Sequence, residues 1–455
     1  MKVLFLNPEQ YVHWEDEPSN HELRLPILHC GAVTEHRDVC YQRLFREIGR
    51  DATDQHILKL VEQFEPQIVI NSTTWPKQSV SSALLHEIMR RGLPVYTQIW
   101  DTFLDPAPHE LEWFYSCTVL GIASSIASYQ RYQRLAESGC GPQGVIFTTG
   151  HNVFTDFIRN LDLPKTEDVV LLGSNEGLRT VFKKFLGTRL RSQGISFRKQ
   201  GGLIDWEKCA GPADRERLTD EWLPWDKYVE AINRAKVCVC SQTGKGRLQI
   251  KGKLFEFLAC GAFVLTDASA ESRSLIPAGC VAYYDSIPDC LEKAVYFVRN
   301  EIERARIARA GRDWFHTQFD YRAFWSAVMR ASVLGDVALP KAAFETRRFE
   351  GCSRGTGSLS CGRPSALQLG QARHLLSQGY SHFGSGHFLE AAREFGAACK
   401  LNPPPVEAYA ALAHLARFCK DPQTLSAALE RIRRIDPTHP AASPESPGSL
   451  AFEYN

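Results

Sequence analysis

The sequence of 455 residues has almost no net charge and no long apolar run. Its 53 basic and 52 acidic residues nearly cancel, so no overall field favours nucleic acid or an anionic membrane. The apolar run near the N-terminus extends only from Val3 to Leu6 before the chain turns polar. We therefore expect no nucleic-acid partner, no signal peptide and no membrane span.

The sequence also has no CxxC pair, although it contains 14 cysteines. Without a secretion signal, these cysteines predict free thiols in a reducing compartment, which favours a cytoplasmic protein. Cys238 and Cys240 alternate along an apolar run and should lie on one face of a strand. Small buried side chains explain them better than a metal site does.

A chain of this length is too long for one core, so we expect several domains. Residues 1–160 alternate short apolar runs with helical patterns such as Cys40–Phe64 and Val80–Gly92. The predicted strands are MKVLFL, PQIVINS from Pro66, LPVYTQIWD from Leu93 and GVIFTTG from Gly144. This alternation predicts a doubly wound parallel sheet, whose ligands bind beyond the carboxyl ends of the strands.

Residues 161–335 predict a second doubly wound unit of similar size. DVVLLGSNEGLRTVFKKFL, from Asp168, is typical of a strand, a Gly turn and an amphipathic helix. The polar stretch Leu161–Asp168 predicts a hinge between the units. We expect the helical segment from about Asp313 to Val333 to cross back onto the first domain. The predicted fold class is thus α/β, with two Rossmann-like domains.

The rest of the chain predicts a linker and a small all-α domain. Residues 336–365 are rich in Gly and Ser, as in a flexible linker, and residues 441–455 predict a disordered tail. Residues 366–440 predict two tetratricopeptide-like repeats, with small residues at the helix crossing and a Pro after the second helix. Two repeats rarely stand alone, so we expect the pair to lean on the core, a second subunit or a partner.

The positions of the first predicted repeat are Leu375, Gly379, His382, Gly386, Phe388, Ala391, Phe395, Ala398 and Pro403. Those of the second, looser repeat are Tyr409, Ala413, Ala416, Leu425, Leu429, Ile432 and Pro437.

The most informative segment of the chain is QIKGKLFEFLACGAFVLTD, from Gln249 to Asp267. It predicts a short helix, a tight turn at Gly261 and a strand, because glycine readily takes the left-handed conformation that ends helices. Lys251 and Lys253 precede Glu256, which lies about one turn further on. Free backbone N–H groups and two cations at a helix start favour an anionic ligand such as a phosphate.

This segment belongs to a longer resemblance. YVEAINRAKVCVC from Tyr228, LQIKGKLFEFLACGAFVLTD, GCVAYYDSIPDCLEKAVYFV and ERARIARAGRDWFHTQFDYRAFW resemble the CgeB-like group of family-1-type glycosyltransferases. The likeness covers roughly Leu171 to Ser332. It implies a GT-B fold and a nucleotide-sugar donor held mainly by the second domain, with no cofactor required.

The resemblance also implies roles for residues of the motif. Glu256 matches the acidic residue that takes the ribose hydroxyls, and a carboxylate can accept two hydrogen bonds from a vicinal diol. Lys251 and Lys253, with Arg247, would neutralise the diphosphate leaving group, so no metal is needed. Glu256 and the lysines could alternatively be solvated surface groups.

Two further features bear on donor binding. The turn Gly173–Gly177, which includes Ser174, would offer backbone N–H groups to the phosphates, with Arg179 following on the helix. Many retaining members of the family carry a second Glu eight positions before the one matched here, where this chain has Leu248. The departure leaves the stereochemical outcome, retention or inversion, open.

An acceptor base should come from the crevice of the first domain. Asp101 follows a predicted strand and is the leading candidate, since a carboxylate there can take the acceptor proton. Asp105, His109 and His151 are alternatives, and each of these residues has a purely structural explanation as well.

Two functions follow. One is a glycosyltransferase whose repeats recruit a protein acceptor or a partner through their concave groove. The other is a non-catalytic scaffold with a degenerate transferase fold, which the missing acid favours. A nucleotide-sugar epimerase is a weaker third, since no acid/base cluster is evident. Stabilisation by nucleotide sugars separates the first two.

Overall fold

The computed structural model describes residues 1–8, 22–73, 78–103, 106–137, 139–173, 178–200, 225–241, 249–334, 338–342, 366–437 and 439–442. These residues form two parallel sheets flanked by helices, followed by a helical domain. The predicted fold class is therefore confirmed. No helix within these ranges is long and apolar enough to cross a membrane.

The first domain is a doubly wound sheet. Its strands are β1 (Lys2–Asn7), β2 (Glu35–Cys40), β3 (Ile68–Ser72), β4 (Val95–Ile99), β5 (Val119–Ile122) and β6 (Gly144–Phe147). Its helices are α1 (Arg24–Leu28), α2 (Tyr41–Ile48), α3 (Arg50–Phe64), α4 (Ser82–Arg90), α5 (Pro108–Tyr115) and α6 (Ile126–Ala136). All six strands are parallel, in the order β2-β1-β3-β4-β5-β6. Helices cover both faces, so the inner strands β3 and β4 are buried along their whole length.

Two strands of this sheet were not predicted. β2 is an edge strand whose residues from Glu35 to Asp38 are exposed, so it lacks the apolar run that marks a buried strand. β5 is only four residues long. The helical stretch predicted as Cys40–Phe64 is in fact α2 and α3, separated at Gly49.

The second domain is also doubly wound. Its strands are β7 (Glu167–Leu172), β8 (Phe197–Gln200), β9 (Ala235–Cys240), β10 (Val264–Asp267) and β11 (Ala282–Tyr284), in the order β11-β10-β9-β7-β8. Its helices are α7 (Leu178–Arg191), α8 (Trp225–Arg234), α9 (Gly252–Ala259), α10 (Ala270–Leu275), α11 (Ile287–Arg299) and α12 (Glu301–Gln318). As predicted, Cys238 and Cys240 are buried in β9.

The next helix, α13 (Tyr321–Leu334), returns to the first domain, as the sequence predicts. Trp325 is fully buried there, edge-on to Tyr96 of β4, and its indole N–H donates to the His151 carbonyl oxygen at 3.0 Å. The His151 ring stacks on Phe324 with centroids 3.9 Å apart. This contact holds the end of the second domain against the core of the first.

The last described helices form two antiparallel pairs. They are α14 (Ala366–Gly384), α15 (Phe388–Ala398), α16 (Val406–Phe418) and α17 (Pro422–Ile435). Gly379 of α14 faces the Phe395 ring of α15 so closely that an added Cβ would lie 2.3 Å from the ring. Only glycine permits this crossing, which is the role that the repeat pattern gives to Gly379.

The helical pairs lean on the first domain through α14. Arg373 donates to the Tyr115 carbonyl oxygen at 2.8 Å, and Tyr380 stacks nearly parallel to Tyr115 with centroids 6.0 Å apart. Leu376 is fully buried in the same core. Part of α14 is therefore covered by α5, so the helical pairs lean on the core, which is one of the three supports that the sequence analysis expected.

Short parts of the predicted linker and tail are also packed. Leu339 contacts Gly144 at the start of β6, and Ala342 is 5% exposed within the main core. Ala442 packs against α17. The remainder of both segments lies outside the described residues.

We expect Gly379→Ala to destabilise the helical domain, because the new methyl group overpacks the Phe395 ring, at a cost of about 1–3 kcal/mol. Gly370→Ala is a matched control in the same helix, since nothing lies within 4 Å of its added Cβ. Gly370→Ala should be neutral or slightly stabilising. Limited proteolysis and thermal unfolding of both variants check this, and equal behaviour would contradict the close crossing.

Burial lowers the pKa of His151 to about 3. The folded state therefore binds fewer protons at this site than the unfolded state, whose His pKa is about 6.5. The stability contribution of neutral His151 is complete above pH 6.5 and is lost as the pH falls towards 3.

Between pH 7.5 and pH 5, the wild type should thus lose up to about 2 kcal/mol more stability than His151→Phe, which keeps the ring stacking. The measurement is the urea midpoint of each protein at both pH values. If both proteins lose the same stability between pH 7.5 and pH 5, His151 is protonated in the folded state.

Candidate functional site

The carboxyl ends of the two sheets meet at a short segment that precedes α9. The Gln249 side-chain amide donates to Asp101 Oδ1 at 2.8 Å, and Asp101 follows β4. The Ile250 N–H donates to the Ser124 carbonyl oxygen at 2.6 Å, and Ser124 follows β5. Lys251 Nζ lies 3.9 Å from Asp101 Oδ1. The edge where a doubly wound sheet binds ligands thus faces the second domain.

The helix that follows has the geometry expected from its sequence. α9 begins at Gly252, with Lys251 as its extended N-cap, and ends at Ala259. Gly261 then takes a φ of +68° before β10 begins at Val264. The predicted order of helix, Gly turn and strand is confirmed, and Lys251 lies at the helix entrance.

Lysines also gather at the end of β7. Lys253 Nζ donates to the Leu172 carbonyl oxygen at 3.0 Å, and Lys183 Nζ donates to the Gly173 carbonyl oxygen at 2.5 Å. Lys183 is 3% exposed, so its ammonium group is held inside the domain. Positive charge therefore surrounds the strand end from which the predicted phosphate turn departs.

Three predicted donor-site positions cannot be placed in this geometry. Ser174 and Arg247 lie outside the described residues. The backbone of Arg179 lies in the first turn of α7, and its side chain is outside the described part of the chain.

Glu256 lies on the inner side of α9 and is 5% exposed. The Tyr228 hydroxyl of α8 donates to Glu256 Oε2. Burial raises the pKa of Glu256, while the Tyr228 hydrogen bond and the charge of Lys253 oppose that rise. The Tyr228 ring stacks on Trp225, which in turn stacks on Phe157. Glu256 is therefore a buried acid beside a cation and at one end of an aromatic stack.

A second acid, Glu22, comes from the first domain and is half-buried. Burial and the nearby Glu256 raise the pKa of Glu22 to about 8, and the charges of Lys253 and Lys251 oppose the rise. Asp101 contributes to the rise as well. Acids from the first domain and cations from the second therefore lie within electrostatic reach of one another.

Of the four predicted acceptor bases, only Asp101 is shown by a hydrogen bond to lie in this cluster. Its side chain is 49% exposed, so it keeps access to the cleft. His109 is 7% exposed within α5 and packs against the rings of Phe103 and Trp113. His151 lies in the seam with α13. Asp105 is outside the described residues.

A second contact joins the domains at the start of α6. The Glu271 carboxylate of α10 accepts the Ser125 hydroxyl at 3.0 Å and the N–H groups of Ile126 and Ala127 at 3.2 and 3.0 Å. A carboxylate at a helix N-terminus is electrostatically favourable. Glu271 therefore ties the second domain to the first without touching the lysines of α9.

Sequence reasoning missed Glu22, Lys183, Tyr228 and Glu271. Lys183 carried a weak signal, since it interrupts the apolar side of an amphipathic helix. Tyr228 stands in a segment that carries the family resemblance, but no role was assigned to it. Glu22 and Glu271 gave no signal, because their partners are remote in the sequence. Across the described ranges, no three His, Cys, Asp or Glu side chains are grouped in a way that could hold a metal ion.

Comparisons with known proteins concern the second domain and the overall arrangement. Residues 179–330 match a family model described as glycosyl transferase-like. No curated protein matches the chain.

Several solved structures have a similar arrangement at low identity. Anabaena Alr3699/HepE in complex with UDP-glucose is 13% identical with a TM-score of 0.49, over 74% of this chain and 100% of that one. A putative UDP-N-acetylglucosamine 2-epimerase from Listeria monocytogenes is 12% identical with a TM-score of 0.48, over 75% and 98%. A DNA-modifying β-glucosyltransferase is 13% identical with a TM-score of 0.43, over 73% and 99%.

The family match covers a minority of the chain, but it contains α9 with its two lysines and Glu256, and also Tyr228 and Lys183. The residues that the second domain contributes to this cluster therefore lie in a segment that is similar to glycosyl transferase-like proteins.

Proposed function

We propose that the chain is a GT-B glycosyltransferase that moves a sugar from a nucleotide-sugar donor to an acceptor in the cleft between its two sheets. The observation that carries this proposal is the cationic start of α9 with Glu256 one turn inside, within the segment that matches the family. A cytoplasmic reaction agrees with the 14 cysteines of the sequence.

In this proposal the donor diphosphate lies at the N-terminus of α9. Lys251 and Lys253 face that end, and backbone N–H groups of the first turn add positive potential. The turn at Gly173 and Ser174, with Arg179 and Arg247, completes the phosphate site. This charge stabilises the leaving diphosphate, so transfer requires no metal ion or other cofactor.

Glu256 binds the donor ribose in the proposal. Tyr228 now donates to one of its carboxylate oxygens, as a ribose hydroxyl would. The aromatic stack of Tyr228, Trp225 and Phe157 lies beside the same carboxylate and offers a surface for the base.

The acceptor approaches from the first domain. Asp101 takes the proton of the acceptor hydroxyl as the hydroxyl oxygen bonds to the anomeric carbon and the nucleoside diphosphate leaves. Glu22 is a second carboxylate in reach of the same charges. His109 and His151 remain alternative bases, although both pack against aromatic rings.

We propose that the C-terminal helices are tetratricopeptide-like repeats that recruit an acceptor or partner protein. Because α5 covers α14, the partner would use the outer side of the repeats. Phe388, Leu389 and Phe418 are exposed there, at 38%, 74% and 48%.

One observation favours the scaffold alternative. Glu256 is nearly inaccessible and already hydrogen-bonded to Tyr228, and Leu248 stands where retaining relatives have an acid. Against it, a decayed site has no physical reason to keep several lysines at one strand end.

Nucleotides therefore discriminate between the two functions. We expect one of UDP, GDP, ADP or dTDP, or a corresponding nucleotide sugar, to raise the melting temperature by several degrees, because a ligand that binds only the folded state stabilises it. The rise should persist in EDTA. No shift with any of these ligands would support the scaffold.

Glu256→Ala should weaken binding of the stabilising nucleotide about 10–100-fold, since hydrogen bonds to a charged group contribute about 1.5–3 kcal/mol. Calorimetric titration measures the loss. Glu292→Ala, at an exposed position on α11 of the same domain, is the control and should bind normally. Tyr228→Phe should retain binding, because it frees the carboxylate. Unchanged affinity in Glu256→Ala would remove Glu256 from the donor site.

A further inference from the structure

Gln249 lies between two opposite charges that belong to different domains. It is 1% exposed, and both ends of its side-chain amide are engaged. The amide nitrogen donates to Asp101 Oδ1 of the first domain at 2.8 Å, and the amide oxygen accepts from Lys251 Nζ at the entrance to α9. The direct separation of Lys251 Nζ from Asp101 Oδ1 is 3.9 Å, which is too long for a hydrogen bond.

An uncharged amide is the group that suits this place. It offers a donor to the carboxylate and an acceptor to the ammonium group at the same time. A Glu at this position would pair with Lys251 but repel Asp101, and a Leu would pair with neither. The charges also fix the orientation of the amide. In the reversed orientation, the amide nitrogen would face the Lys251 ammonium group and the amide oxygen would face the Asp101 carboxylate.

The backbone holds Gln249 in register with the first domain. The neighbouring Ile250 N–H donates to the Ser124 carbonyl oxygen at 2.6 Å. Asp101 and Ser124 follow the adjacent strands β4 and β5, so the segment 249–251 lies across two strand ends. The position of Lys251 is therefore linked, through Gln249, to the first domain.

Lys253 differs in this respect. Its ammonium group donates to Leu172 of the second domain, so opening of the cleft leaves that contact intact. On the proposed donor side, one lysine thus has a hydrogen bond within its own domain, and the other has a contact that is linked to the first domain.

We propose that Gln249 is a positioning residue that couples closure of the cleft to the placement of Lys251 on the donor diphosphate. The inference rests on the proposed function and deepens it. The first domain, which holds the acceptor, would in this way complete the phosphate site only once it has closed.

The test compares Gln249→Leu with Lys251→Met and with the double variant. The probes are UDP, GDP, ADP and dTDP and their monophosphates, titrated calorimetrically into the full chain. In the wild type, at least one diphosphate should bind more tightly than its monophosphate. Gln249→Leu should lose most of that preference, about tenfold in affinity, and so should Lys251→Met. The double variant should lose no more than either single variant, because both remove the same contact.

Glu271→Gln is the matched control, since it weakens the other contact between the domains and leaves the lysines untouched. It should alter diphosphate and monophosphate binding by the same factor.

A second check is rescue by a compensating substitution. Gln249→Glu should lose the preference, and adding Asp101→Asn should restore it, because the Asn amide can donate to the new carboxylate while Lys251 still pairs with it.

The outcomes are distinct. Additive losses in the double variant, or a Gln249→Leu pattern equal to that of Glu271→Gln, would overturn the positioning role and leave the proposed function standing. Failure of the wild type to bind any of the eight nucleotides would overturn the proposed function and this inference together. Thermal unfolding of each variant shows whether it is folded. If Gln249→Leu is unfolded, the comparison of Gln249→Glu with Gln249→Glu plus Asp101→Asn tests the positioning role instead.

Discussion

Burial of Trp325 against the first sheet is the interaction on which the placement of the two domains depends. Each doubly wound sheet has a separate apolar cluster, and residues of both sheets also share a third cluster. Covalently the two sheets are joined only by the stretch after β6 and the return through α13. In this return, the apolar ring of Trp325 packs against Tyr96, and its indole N–H donates to the His151 carbonyl oxygen. Because this contact fixes one end of the second domain, the carboxyl ends of the two sheets face each other.

The charges in the cleft follow from that arrangement. The first domain contributes acids, Glu22 and Asp101, and the second contributes Lys251 and Lys253 together with one acid, Glu256. A charge removed from water is costly unless it is paired or hydrogen-bonded. Here the pairing crosses the cleft, so each domain partly satisfies charges that the other would leave exposed. The site is therefore a property of the pair of domains.

The sequence predicted what depends on local pattern. Apolar runs such as Val3–Leu6 identified buried strands, and the order of lysines, Glu256 and Gly261 identified α9 and its turn correctly. Edge strand β2 escaped because exposed residues have no apolar periodicity.

Contacts between distant residues were not predictable in the same way. Glu22 meets Glu256, and Glu271 meets the start of α6, only after folding, and neither residue belongs to a motif. That the helical pairs pack on α5 in particular was not predictable either, because repeat spacing describes packing within the repeats and contains no information about α5.

The cover that α14 provides for α5 has a consequence for how the chain can be divided. Leu376, Tyr380 and Phe383 belong to the same apolar cluster as Leu111 and Phe114, so the core of the first domain is completed by residues from the far end of the sequence. A fragment that stops before the helical pairs would expose that apolar surface to water and would tend to associate. The C-terminal helices thus complete the core of the first domain, although they come last in the sequence. The domain boundary that the sequence predicts before residue 366 is therefore not a boundary of the folded core.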